Sequence, residues 1–180
     1  MKRCVGFLLL GTLSFAQMSG DMQMTPVTDE YTFIAGMIPH HQEAVDTALE
    51  VLVRSHRPEM QAFAWDIIKV QMEEIALMEG WLSEFYSDAT TEIKYSPMMR
   101  EQAGLSAEDL DRFFLEDMIV HHQMGVTMAE DLLENDYAQT PGVPKLAQNI
   151  IDLQSDEITL MSRWLESWYG VEATPMQMGN

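Results

Sequence analysis

Two stretches of this chain, far apart in sequence, carry nearly the same residues. MIPHHQEA at 37–44 recurs as MIVHHQMG at 118–125. Phe33, Met37, Ile38, His40, His41 and Gln42 match Phe114, Met118, Ile119, His121, His122 and Gln123 at a constant offset of 81. Downstream, AWDIIKVQMEEIALMEGWLSEFY (64–86) matches AQNIIDLQSDEITLMSRWLESWY (147–169) at an offset of 83, as Pro58 matches Pro141. A duplication this detailed constrains the fold more than any other feature, because each copy forms one structural unit. It also places four of the five histidines of the chain in two matched pairs.

Each copy reads as two helices. In the first block of repeat one, Phe33, Met37, His41, Ala44, Ala48 and Leu52 recur at steps of three and four, the period of a single helix face. Ile67, Gln71, Glu74, Met78, Trp81 and Phe85 do the same in the second block. The break falls at SHRPE (55–59), with Pro58 suited to a first helical turn. The break in repeat two is NDYAQTPGVP (135–144), and Ser106 before Glu108 and Asp109 marks a helix start. The spacing therefore predicts helices over roughly 29–56, 58–87, 106–135 and 142–169.

Short connections within each repeat imply antiparallel helical hairpins. Between the repeats lies SDATTEIKYSPMMREQAG (87–104). Eighteen residues span about 60 Å when extended, whereas a helix of 28 residues is about 42 Å long. Such a linker can run the length of a bundle. The expected fold is therefore all-α: a ferritin-like four-helix bundle made of two repeated helical hairpins. An up-down-up-down order stays open. The bundle is expected over 29–170, with repeat one at 29–87, a linker at 88–105 and repeat two at 106–169.

The ends read differently. Lys2 and Arg3, the apolar run Val5–Leu13 and Ser14-Phe15-Ala16 form a secretory-leader pattern over 1–16, too short to span a bilayer. Cleavage after Ala16 would remove the only cysteine, Cys4, and shift the net charge from −19 to −21. A mature chain of this kind belongs in a periplasmic or secreted setting. So acidic a surface argues against nucleic acid or an anionic membrane as partners, and no second apolar run suits membrane insertion. Segments 17–28 and 171–180 are expected to be flexible tails. They hold Met18, Met22, Met24, Met176 and Met178, thioethers with no core to fill.

Counting from each hairpin turn estimates height in the bundle. From residue 57, His40 lies 17 before and Glu74 17 after, and Met37 20 before and Met78 21 after. From residue 140, His121 lies 19 before, Glu157 17 after and Met161 21 after. Each hairpin thus gathers Met, His, His, Gln, Glu and Met near mid-height. A di-iron bundle would show Glu-x-x-His on two helices; here methionine stands three before the first histidine both times, on the same helix face. Thioether and imidazole select copper, with Cu(I) favoured over Cu(II). The candidate ligands are Met37, His40, His41, Met78, Met118, His121, His122 and Met161. Glu74, Glu157, Gln71 and Gln154 remain open. Pro39 would free the carbonyl of Ala35 and loosen the first helix locally, but Val120 holds the matching position in repeat two.

MIPHHQEA and MIVHHQMG, each followed by a Q…EI..M..WL block, resemble the domain of unknown function 305 family over about 30–170. The resemblance implies an exported ferritin-like bundle with a role in copper binding or copper tolerance. By position its motif residues are Met37, His40, His41, Gln42, Met118, His121, His122 and Gln123, with Val120 where the motif often has proline. The expected function is buffering, storing or transferring copper rather than catalysis. Other copper-trafficking proteins and further copies of the chain stay open as partners. Three other readings remain: a ferritin-like oxidase using Glu74 and Glu157, a metal-free structural or partner-binding bundle, and a metal sensor.

Overall fold

A computed structural model describes residues 24–171. The leader-like segment 1–16 and the tail methionines Met18, Met22, Met176 and Met178 lie outside the described residues. Four helices are formed: α1 Glu30–Arg54, α2 Pro58–Phe85, α3 Ala107–Glu134 and α4 Val143–Tyr169. Local chemistry sets their ends. Asp29 caps α1, accepting from the Thr32 backbone at 2.7 Å in a reciprocal capping box. Pro58 sits in the first turn of α2, and the Ser106 hydroxyl caps α3 through Asp109 N at 3.1 Å. Gly142 leads into α4 with φ +102, and a Cβ there would stand 3.1 Å from the Trp81 ring, so both conformation and space call for glycine. α1 passes through Pro39 without interruption.

α1 packs on α2 and α3 on α4, giving two hairpins, and α1 meets α3 between them. Ser55 at the end of α1 bonds Asp111 at the start of α3, while Glu30 reaches Thr140 beyond the end of α3. These two helices are therefore antiparallel. The linker runs from the Glu30 end to the Arg54 end along them. On the way Thr25 N bonds Lys94 O, Tyr31 bonds Thr91 O, Glu43 takes Met98 N and Met99 N, and Arg54 bonds the carbonyls of Gln102 and Leu105. Arg100 clamps it by pairing with Asp117 and Glu116, each at 2.8 Å. The order is hairpin, long crossover, hairpin, the connectivity of a ferritin-like four-helix bundle.

One detail differs from the sequence reading. Met24 is half-buried against the core, held there as Thr25 pairs with Lys94 through two hydrogen bonds, so 24–28 lies along the linker. The repeated aromatic residues lie at both ends of the bundle. Trp164 and Trp168 stack at 4.9 Å with Phe63 and Arg57 at the first hairpin turn, whereas Trp81 meets Gly142 and Tyr86 meets Tyr31 at the opposite end. Phe85 is half exposed. Antiparallel docking of the two repeats sends equivalent residues to opposite ends.

Glu30 joins three segments. Buried at 3% exposure, its carboxylate accepts from Tyr86 Oη at 2.6 Å, Thr140 N at 2.8 Å and Gln139 N. Burial opposes its ionisation, but the hydrogen bonds from Thr140, Tyr86 and Gln139 outweigh that and hold its pKa below the usual carboxylate value. Burial and the same carboxylate push the Tyr86 hydroxyl up to about 12. Glu30→Ala should lower stability by about 2–3 kcal/mol at pH 7 by stranding these donors. Because the folded pKa is depressed, this contribution is full above the unfolded value and is lost as pH falls through the folded one. Urea unfolding of both proteins at pH 7 and pH 3 checks this: the difference should shrink at pH 3.

Candidate metal centre

The histidine pairs meet at the centre of the α1–α3 interface. His40 and His121 are fully buried, and their rings stack with centroids 3.7 Å apart and planes at 26°. His41 and His122, also fully buried, flank them with centroids 6.0 Å from His40 and His121 respectively. The second histidine of each pair turns to the partner helix of its own hairpin: His41 Nε2 bonds Glu74 Oε2 and His122 Nε2 bonds Glu157 Oε2, both at 2.7 Å. His40 Nε2 bonds the His121 carbonyl at 3.0 Å.

Carboxylate and carbonyl oxygens only accept, so Nε2–H is the donor in all three bonds. His121 Nε2 stands 3.5 Å from both Tyr95 Oη and Glu43 Oε2. The outward nitrogen of every ring is thus engaged. The Nδ1 atoms of His40, His41, His121 and His122 are all buried with no protein partner. Buried polar nitrogens ordinarily find partners. Four without one, on rings whose other nitrogen is oriented by an oxygen, form the arrangement that outer hydrogen bonds give to metal-binding histidines. Burial, and then the neighbouring histidine rings, holds the pKa of both His40 and His121 well below 6.5. Their rings are neutral at pH 7, the form that binds metal.

Met37, Met78, Met118 and Met161 are all fully buried. Met37 and Met78 share one half of the core with Phe33, Leu132 and Val143, towards the Glu30 end. Met118 and Met161 share the other half with Val51, Met60 and Leu110, towards the Arg54 end. The antiparallel docking explains this: three residues before the histidine leads one way along α1 and the opposite way along α3. The methionine pairs therefore flank the histidine layer from both sides. Among the described residues, no three His, Cys, Asp or Glu side chains are gathered as a metal site.

Three features escaped the sequence reading. Tyr95, from the linker, packs edge-on to His40 with centroids 6.3 Å apart and donates to Glu43. Burial, and then Glu43, pushes its hydroxyl pKa far up, so it stays protonated. Glu43 also fixes the linker through Met98 N at 2.8 Å and Met99 N at 2.9 Å. No local spacing signals a contact across more than fifty residues. Gly125 is the third: a Cβ there would stand 2.4 Å from Gln154 Oε1 and 3.0 Å from His40 Cε1. The matching residue of repeat one is Ala44, and that difference in HHQEA against HHQMG was legible. Gln71 and Gln154 are buried, and each Oε1 lacks a partner. His56 follows the Ser55 C-cap and is exposed.

The sequence profile described as "Domain of unknown function (DUF305)" matches residues 30–165 and, again, 111–179. No curated protein matches the chain. Among solved structures, "CopM in the Cu(I)-bound form" is similar at 37% identity and TM-score 0.68, covering 78% of this chain and 97% of that one. CopM has also been solved in Ag-bound, Cu(II)-bound and apo forms. A DUF305 fragment from Deinococcus radiodurans is 31% identical with TM-score 0.66, covering 79% of this chain and 99% of its own. A DUF305 protein from Streptomyces coelicolor, assigned as secreted, is 26% identical with TM-score 0.70, covering 79% and 94%.

Proposed function

Since the chain belongs to the DUF305 family, we propose that it is an extracytoplasmic copper-binding protein that holds Cu(I) in the bundle core and buffers, stores or hands on copper. The observation that carries this reading is the set of four buried Nδ1 atoms without partners, flanked by four buried thioethers. Imidazole with thioether is a donor set for Cu(I) rather than for calcium, magnesium or iron. The similarity to CopM, solved with Cu(I), Cu(II) and Ag, supports a copper-related role.

In this reading His40, His41, His121 and His122 offer Nδ1, and Met37, Met78, Met118 and Met161 offer sulfur. Glu74 and Glu157 are positioning residues that hold His41 and His122 in the tautomer with Nδ1 free. Thioethers bind without losing a proton and persist where thiols are oxidised, which suits an exported chain. The leader-like segment 1–16 and the Streptomyces relative support export, and among the described residues no helix is long and apolar enough to cross a membrane. The soft donor inventory favours holding metal over turnover.

Titrating the chain with Cu(I) against a competing chelator, with X-ray absorption on the loaded protein, tests the reading. The expected result is binding at the nanomolar level or tighter, roughly −12 kcal/mol or beyond, with sulfur and nitrogen scatterers. An all-oxygen shell, or no competition with the chelator, refutes it.

A further inference from the structure

A second set of donors lines the gap between α2 and α4. Gln71 and Glu74 on α2, and Gln154 and Glu157 on α4, stand three residues apart on their helices and so share a face. All four line one narrow cleft between α2 and α4, together with Ile67, Ile150 and Leu153. The cleft has room for about one water-sized sphere. Gln71 and Gln154 are 3% and 2% exposed, yet each Oε1 is without a hydrogen-bond partner. The Gln154 oxygen reaches the space beside Gly125 that a side chain would fill. Glu74 and Glu157, which also line the cleft, each commit Oε2 to a histidine.

A buried amide oxygen with no partner is unfavourable by about 1–3 kcal/mol unless something in the cleft satisfies it. Here two such oxygens stand beside two carboxylates at the mouth of an acidic chain of net charge −19. Four oxygens and no nitrogen or sulfur form a donor set for a hard cation. We propose that the cleft between α2 and α4 is a second cation site, distinct from the thioether core, which takes one small oxygen-preferring divalent cation through Gln71, Gln154, Glu74 and Glu157. The two carboxylates then serve both sites, each bonding a histidine inward through one oxygen and the cation through the other. The site goes beyond the copper reading and does not depend on it.

The test uses Mn(II) as the probe, followed by the loss of its free electron paramagnetic resonance signal, on full-length mature protein first loaded with Ag(I). The expected result is one Mn(II) per chain with a dissociation constant on the order of 10⁻⁴ M. In the double variant Gln71→Leu, Gln154→Leu, Mn(II) binding should weaken about tenfold or more, while retained Ag(I) is unchanged. The variant removes buried unpartnered amides, so its melting temperature without Mn(II) should equal or exceed the parent's, which excludes misfolding as the cause. Equal Mn(II) binding in parent and variant would place the ion on surface carboxylates and overturn the proposal. No binding at millimolar Mn(II) would mean that the cleft holds only water, which also overturns it. If Ag(I) is not retained but Mn(II) binding still falls in the variant, the copper reading fails and the cleft site stands.

Discussion

Replacing His40, His41, His121 and His122 together by leucine should weaken Cu(I) binding about a thousandfold or more, on the order of 4 kcal/mol, while helix content is kept. The four rings are fully buried and supply every unpartnered Nδ1 of the centre. Leucine keeps most of their volume, so the α1–α3 interface stays filled. Glu74 and Glu157 lose their donors, but their side chains are 11% and 13% exposed and can take up water. Chelator competition reads the affinity, and far-ultraviolet circular dichroism reads the helices. If the affinity survives with the helices intact, copper is held elsewhere, and the methionines of the terminal segments become the ligands to test.

The second large effect isolates sulfur. Exchanging Met37, Met78, Met118 and Met161 for leucine conserves volume and apolarity, each change amounting to less than about 1.5 kcal/mol. All four sit in apolar core clusters, so packing alone predicts a near-native fold. Cu(I) affinity should nevertheless fall about a hundredfold, whereas Zn(II), which draws on imidazole, should change by less than about tenfold. The preference for Cu(I) over Zn(II) would collapse. Unchanged Cu(I) affinity would reduce these methionines to core packing and leave the histidines as the whole site.

Much of the architecture was legible because it is periodic. The duplication, the three-and-four spacing and the two short breaks each act over a few residues, and the length of the linker alone showed that it could cross the bundle. The same periodicity put Phe33, Met37, His41, Ala44, Ala48 and Leu52 on one face, and all are buried except Leu52, which is half-buried. It could not say how that face is used by the other repeat. The ring that meets His40 comes from the other hairpin, as does the carbonyl it bonds, and neither partner is near it in sequence. The height estimate from the first turn set Glu74 level with His40. The structure gives Glu74 to His41, one residue on, because adjacent helical side chains diverge by about 100° and only His41 faces α2. Likewise Glu30, Glu43 and Tyr95 read as unremarkable polar residues until the linker and the hairpin loop are brought against them.

What the sequence determined by itself is the repeat, the two hairpins and the inventory of soft donors, since each rests on spacing within one helix or one turn. Only the tertiary structure decided how the copies meet. Docking α1 against α3 in antiparallel fashion stacks His40 on His121 and sends the two methionine pairs to opposite sides of the histidine layer. It also leaves Gln71, Glu74, Gln154 and Glu157 around a cleft of their own. The physical reason is that a helical period fixes which face a side chain occupies, whereas the donors that face it belong to helices placed by packing and by loop closure.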